Sequence, residues 1–179
     1  RLNYQIKNGA NATVFLRFII DRLFHPFLSR KKKYYTKKHR EYMNKKKTTT
    51  DYFSINAFYW NSILSKNLKD FSYLEIGSWE GNSALYILKN FNPIDVVCVD
   101  IWDLYDNEYK NKQSERFENF KSNLKEFEQK FSFHKDTSDN FFENNKKTFD
   151  LIYIDGSHEA AQVYKDLSNS WNCLKDNGI

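Results

Sequence analysis

Three carboxylates stand where apolar, β-like runs of this sequence give way to turns: Glu75 near the end of Phe71 to Ile76, Asp100 after Ile94 to Val99, and Asp155 after Phe149 to Ile154. Glu75 is followed by Gly77 and Gly81, a G-x-x-x-G spacing rather than the G-x-G-x-x-G that seats a dinucleotide pyrophosphate on a helix N-terminus. A carboxylate there would repel a pyrophosphate and suits a ligand with an ammonium or sulfonium charge. Asp100 ends the next β-like run, where a carboxylate can accept hydrogen bonds from both hydroxyls of a ribose. An adenosine with a cationic tail satisfies both. Each residue also has a plainer use: Glu75 as partner of a helix N-terminus, Asp100 as a turn residue, Ser138 as a helix cap.

The elements that would position these groups alternate in type from Asp51 onward. Ser54 to Leu68 reads as a helix with Ile55, Phe58, Tyr59 and Ile63 at helical spacings, and Phe71 to Ile76 as a buried strand. Asn82 to Phe91 reads as a helix and Ile94 to Val99 as a β-branched strand. Ser114 to Gln129 puts Phe117, Phe120, Leu124 and Phe127 on one helical face. A short strand follows at Phe131 to His134, then a short helix at Ser138 to Asn145 and a buried strand at Phe149 to Ile154. Glu159 to Leu174 is a helix on which Ala160, Val163, Tyr164, Leu167, Trp171 and Leu174 share a face. Such alternation with short loops predicts an α/β fold, a Rossmann-like doubly wound parallel sheet whose ligands bind beyond the carboxyl ends of the strands. Glu75, Asp100, Thr137 and Asp155 all sit at or near those ends.

The chain's 179 residues, 40% hydrophobic and 18% aromatic, suffice for one core with an appendage. Its net charge of +5 is unevenly spread. Residues 1–50 hold 14 Lys and Arg against Asp21 and Glu41, which leaves 14 basic and 21 acidic residues in 51–179. The expected division is therefore a basic amphipathic extension, 1–50, and a ligand-binding domain, 51–179. Val14 to Leu28 is apolar but broken by Arg17, Asp21, Arg22 and Pro26, a poor membrane span that could lie on a surface. Arg30 to Lys47 interleaves basic residues with Tyr34, Tyr35 and Tyr42, which suits an anionic membrane surface, nucleic acid or another acidic partner, and equally a solvated helical extension. Cys98 and Cys173 lie in apolar patterns as reduced core thiols, the usage of a cytoplasmic protein, here with a possible peripheral membrane contact. The sequence starts without Met and stops at Asn177-Gly178-Ile179 as a strand pattern begins. A fragment truncated after the fourth strand is expected, with the chain from Gly178 pairing beside Phe149 to Ile154.

The stretches LEIGSWEGNSALYIL, VVCVDIWD, FHKDTSDNF and FDLIYIDGSHEAAQVYKDLSNSWNCLKDNGI, in this order, resemble class I S-adenosylmethionine-dependent methyltransferases. The last resembles most the branch of macrocin-type, sugar-modifying O-methyltransferases, and TTTDYFSINAFYWNSIL resembles the segment before the first strand in related bacterial proteins. The likeness covers Thr48 to Ile179. It implies S-adenosylmethionine as cofactor, with Glu75 and Gly77 lining the methionine end, Gly81 allowing close packing, Asp100 holding the ribose, and Ile101 and Trp102 flanking the adenine. Asp136, Thr137 and Ser138 take the place of the adenine-edge loop, Asp136 standing where the family usually has Gly. In the macrocin-type relatives the residue matching Asp155 binds a divalent metal and the one matching His158 is a general base. The resemblance thus implies a Mg2+-type ion holding the acceptor oxygen while His158 takes its proton.

The implied acceptor is a sugar, glycan precursor or other small hydroxyl compound. A nucleic-acid methyltransferase is the alternative that the basic arm favours. Enzymes that methylate base amino groups commonly carry Asn/Asp-Pro-Pro-aromatic after the fourth strand, however, where this chain has Asp155-Gly156-Ser157-His158. A non-catalytic domain recruited through residues 1–47 is the remaining alternative.

Overall fold

The computed structural model describes residues 12–64, 68, 70–102 and 110–179. Four parallel strands, β1 (Ser72–Ile76), β2 (Asp95–Asp100), β3 (Phe131–Lys135) and β4 (Leu151–Ile154), form one sheet in the order β3-β2-β1-β4. Around it, in chain order, are helices α1 (Ala12–Met43), α2 (Ala57–Leu64), α3 (Asn82–Asn90), α4 (Lys110–Leu124), α5 (Ser138–Asn144) and α6 (Ala160–Cys173). The chain steps from β1 to β2 to β3 in one direction and then returns to lay β4 on the other side of β1. The sheet therefore has its switch point between β1 and β4, where such folds open a crevice. This is the expected α/β, doubly wound architecture.

The pleat of β1 decides which residues face which layer. Tyr73, like Phe71 just before the strand, points to the layer containing α3 and α4, where it joins Leu85, Leu88, Phe120 and Leu124 in one core cluster. Leu74 and Ile76 point the other way, to a second cluster with Val97, Val99, Phe141 and Phe149. With both faces covered, β1 is buried at all five positions.

Two helices turn faces other than the expected ones toward the core. Ile55, in the 3-10 turn just before α2, and Tyr59 and Ile63 within α2 are about half exposed, while Ala57 and Leu64 are buried and Trp60 packs on Phe53 and Tyr73. The inner spacing of 57, 60 and 64 is just as helical, and sequence alone does not say which of two apolar stripes faces inward. In α6, Tyr164 and Trp171 are 73% and 76% exposed, and the inward face carries Asp166, Ser170 and Cys173. Polar contacts set that orientation. Gln162 Nε2 reaches Ser138 Oγ at 3.2 Å and Asp139 Oδ1 at 3.0 Å on α5. At the edge of β4, Ile179 N donates to Asp150 O at 2.9 Å and Ile152 N to Ile179 O at 2.8 Å.

Helix α1 runs 32 residues through both the apolar and the basic parts of the N-terminal region, and its C-terminal end is built into the domain. His39 and Met43 are buried. The His39 Nε2 atom lies 2.5 Å from Asn82 Oδ1, and its ring stands edge-on to Phe53 and Tyr86. The segment that follows is stitched to α4 and to the loop after β1. Asn123 exchanges two 2.8 Å hydrogen bonds with the Lys47 backbone. Glu80, 1% exposed, accepts from Thr49 N at 2.6 Å and Asn119 Nδ2 at 2.9 Å. Removing this carboxylate would strand several buried donors at once. Glu80→Ala is therefore expected to lower stability by about 2–4 kcal/mol in urea unfolding.

Candidate active site

A cleft of about 700 Å³ opens beyond the carboxyl ends of the strands. The end of β1 and the residue after it supply Ile76 and Gly77 to it, β2 supplies Val99 and Asp100, the loop into α5 and its first turn supply Asp136 to Asn140, and the loop after β4 supplies Asp155 to Ser157.

Gly77 is required where these pieces meet. Its φ is +91°, and a Cβ there would be driven into the carbonyl of Asp155 and the Cα of Gly156. Gly81, at φ +82°, has instead the Leu124 side chain in the place a Cβ would take, so it lets α4 approach and does not line the cleft. The two glycines thus differ in what a substitution would meet. Gly77→Ala should abolish cooperative folding, because the obstacle is backbone. Gly81→Ala should leave a folded protein with a lowered melting temperature, because Leu124 can move. Circular dichroism melts of the pair test this.

Asp100, half-buried, is the hinge of the cleft. Its Oδ2 accepts the Trp79 N–H at 2.8 Å and its Oδ1 the Trp102 N–H at 2.6 Å, so the carboxylate braces both loops and keeps further lone pairs for a ligand. Burial raises its pKa, opposed by those two amides and by Arg116. Ile101 is 40% exposed at the rim. Trp102 touches the cleft but is 5% exposed, its ring on Phe117 and Phe120 and its Nε1 donating to Trp79 O at 2.6 Å. Asp136 Oδ1 accepts from Thr137 N at 2.7 Å and Asn140 Nδ2 at 2.9 Å. The cap of α5 is Thr137, whose Oγ1 accepts the Asn140 N–H, while Ser138 receives Gln162.

Three expected residues do not line the cleft: Gly81, Glu75 and His158. Glu75 shares the sheet face of Tyr73, and its fully buried carboxylate accepts from Tyr73 Oη at 2.5 Å and from Ser83 Oγ, in the first turn of α3, at 2.8 Å. It is held as a partner of the helix start, behind the cleft wall. His158 is exposed and follows Ser157, which lines the cleft. Asp155 is in the lining, its Oδ2 accepting Tyr153 Oη at 2.9 Å. The implied metal finds no support: among the described residues no group of three or more His, Cys, Asp or Glu side chains is placed to hold an ion.

Sequence reasoning missed Trp79, Arg116, Asp139, Gln162 and Asp166 as lining residues. Arg116 stacks its guanidinium 4.0 Å from the Trp79 ring centroid. Trp79 follows Gly77 so closely that its place could have been guessed; Asp139 and Gln162 stand in the first turns of α5 and α6 and Arg116 and Asp166 inside α4 and α6, where no local pattern marks them.

Burial raises the Glu75 pKa from 4.5 to about 7, against the hydrogen bonds it accepts. Between those values the native state keeps a proton that the unfolded chain has released. Stability should therefore fall as pH rises from about 4.5 to about 7 and level off above, by about 3 kcal/mol in all. Glu75→Gln should flatten that fall in urea midpoints measured from pH 5 to 8.

The lining suits an adenosine with a cationic tail. Gly77 contributes side-chain-free backbone to the lining, Asp100 offers acceptors beside a rim isoleucine, and Trp79 Nε1 is buried without a hydrogen-bond partner among the described residues. A methyltransferase-domain family matches residues 74–179, more than half of the sequence, and the chain belongs to that family. The donor that the family implies is S-adenosylmethionine. No curated protein matches the sequence. Among solved structures, a protein assigned as an RNA methyltransferase from Pyrococcus horikoshii aligns at 15% identity and TM-score 0.55, over 78% of this chain and 69% of its own. Precorrin 8W decarboxylase from Methanobacterium thermoautotrophicum aligns at 11% and 0.53, over 73% and 62%. A protein assigned as an rRNA methylase from Clostridium thermocellum aligns at 14% and 0.50, over 74% and 70%. At such identities the likeness is one of fold.

Proposed function

We propose that this chain carries the catalytic domain of an S-adenosylmethionine-dependent O-methyltransferase acting on a small, uncharged or cationic hydroxyl compound such as a sugar or glycan precursor. The observation that carries this reading is the charge of the cleft in a chain of the methyltransferase-domain family. Its described lining holds five carboxylates, Asp100, Asp136, Asp139, Asp155 and Asp166, against one cation, Arg116. Such a lining attracts a sulfonium and repels phosphates, which weighs against nucleic acid in the cleft despite the basic α1. Asp155-Gly156-Ser157-His158 in place of an Asn/Asp-Pro-Pro-aromatic turn supports oxygen rather than a base amino group as nucleophile.

The bound donor supplies an electrophilic methyl group. Asp100 takes the ribose hydroxyls on the lone pairs that Trp79 and Trp102 leave open, Ile101 covers one adenine face, and the loop Asp136 to Ser138 borders its edge. A ring nitrogen of the exposed His158, which follows Ser157 of the lining, accepts the proton of the acceptor hydroxyl as oxygen attacks. Asp155 orients the acceptor from the cleft lining. No metal step is included, since the described residues form no site for one. The buried, unpaired Cys98 and Cys173 suit a cytoplasmic enzyme.

Isothermal titration with S-adenosylhomocysteine tests the cofactor assignment. Asp100→Ala should weaken binding by about 1.5–3 kcal/mol, with Asp100→Asn milder because the amide keeps one acceptor. Equal affinity in all three proteins would remove the ribose role, and no binding by the parent would remove the function. With an acceptor found by methyl-transfer screening, His158→Ala should lower kcat by about 10²–10⁴-fold at unchanged cofactor affinity.

A further inference from the structure

Helix α1 presents to solvent a stripe that the methyl-transfer reading leaves unused. Phe24, Phe27, Lys31, Tyr34 and Lys38 recur at alternating three- and four-residue steps, which puts them on one helical face. Phe24 and Phe27 are each 56% exposed and Tyr34 is 60% exposed, with Leu23 at 72% beside them. Lys31 Nζ lies 4.7 Å from the Phe27 ring centroid. Over its whole length α1 carries nine cations, Arg17, Arg22, Arg30, Lys31, Lys32, Lys33, Lys37, Lys38 and Arg40, against Asp21 and Glu41. The stripe is apolar toward the N-terminus and basic toward the C-terminus. At its basic end it runs into a recess of about 200 Å³ between α1 and α3, bordered by Tyr34 and Lys38 from the stripe and by Tyr35, Tyr42 and Lys89 behind them. Lys89 stands 3.0 Å from the Tyr42 ring centroid. Burial lowers its pKa, and Lys38, Lys45 and Lys46 push the same way against Glu126 alone. Like charges crowded around a half-enclosed recess favour an anion inside it.

We propose that this face of α1 docks the protein on an anionic phospholipid surface, Phe24 and Phe27 entering the acyl boundary and a headgroup phosphate entering the recess beside Lys38 and Lys89. Single-stranded nucleic acid would reward the lysines and could stack on the rings, but would not reward the exposed aliphatic Leu23 and Leu28 beside them. A bilayer rewards both without a shaped partner. The helix lies along the membrane in this mode, in keeping with the finding that no described helix is long and apolar enough to cross one.

Co-sedimentation of the full chain with vesicles of phosphatidylcholine alone or mixed with phosphatidylglycerol tests the proposal. Binding is expected only to the mixed vesicles, weakening as salt is raised. Paired Phe24→Ala and Phe27→Ala, and paired Lys31→Glu and Lys38→Glu, should each lower it at least tenfold while thermal unfolding stays cooperative. Lys89→Ala should lower it about fivefold, the loss of one basic contact, and inorganic phosphate should compete weakly. Equal sedimentation with both vesicle types, none with either, unchanged binding by the paired variants, or tighter binding to single-stranded RNA at the same salt would each overturn the membrane assignment. An unchanged Lys89→Ala variant would overturn the headgroup recess. None of these readouts requires the cleft to bind a cofactor, so their failure is distinct from failure of the methyltransferase reading.

Discussion

Everything in the cleft depends on a backbone contact, that of Gly77 with the Asp155 carbonyl and Gly156. β1 and β4 are hydrogen-bonded neighbours through Ile76 and Ile154, and immediately beyond that pair the two chains must part to opposite layers of the sheet. They can do so at this distance only because position 77 has no side chain and adopts a positive φ. The parting opens the crevice and exposes Asp155 to Ser157 on one wall. The tight turn that follows carries Trp79 to Asp100, whose two oxygens then brace the loops after β1 and β2. A side chain at 77 would push β4's continuation away and separate the acidic groups that the crevice brings together.

Those groups explain how one molecule can carry opposite charge in different places. The N-terminal helix is basic and its lysines mostly face water, whereas the cleft gathers carboxylates from the ends of β2, β3 and β4 and from α6. The basic α1 is attractive to anions, while the carboxylates of the cleft disfavour phosphates and suit a cationic ligand. The two regions are mechanically joined all the same. His39, Met43, the Lys47 backbone and the Glu80 clasp tie the end of α1 to α3 and α4, so whatever holds α1 also holds the domain.

Glu75 shows how an unfavourable group is tolerated at the centre of such a sheet. Its carboxylate is completely buried, and burial first, with the nearby charge of Asp155 after it, drives its pKa upward. Tyr73 and Ser83 recover part of that cost by donating to it, and Ser83 belongs to the first turn of α3, whose dipole favours negative charge. The acid thereby links the central strand to the start of the helix that flanks the cleft.

The alternation of strand and helix, the parallel sheet and the residues at strand ends are legible along the chain, because each is written in local periodicity and in where apolar runs stop. Asp100, Ile101, Asp136 to Ser138 and Asp155 were legible for that reason: a strand delivers its last residue to the sheet edge whatever its neighbours do. Which way side chains turn is set by the packing of the layers. On a strand buried on both faces, parity cannot tell the cleft side from the helix side, so Glu75 read as a ligand group although it bonds α3. An apolar stripe on a helix likewise does not reveal whether a core covers it, which is why Tyr164 and Trp171 of α6 lie exposed while Asp166 turns inward. Arg116 reaches the cleft from the interior of α4 and Gln162 from the first turn of α6, and the clasp of Thr49, Glu80 and Asn119 joins residues far apart in the chain. Such contacts are set by how the layers pack, and no spacing along the chain records them.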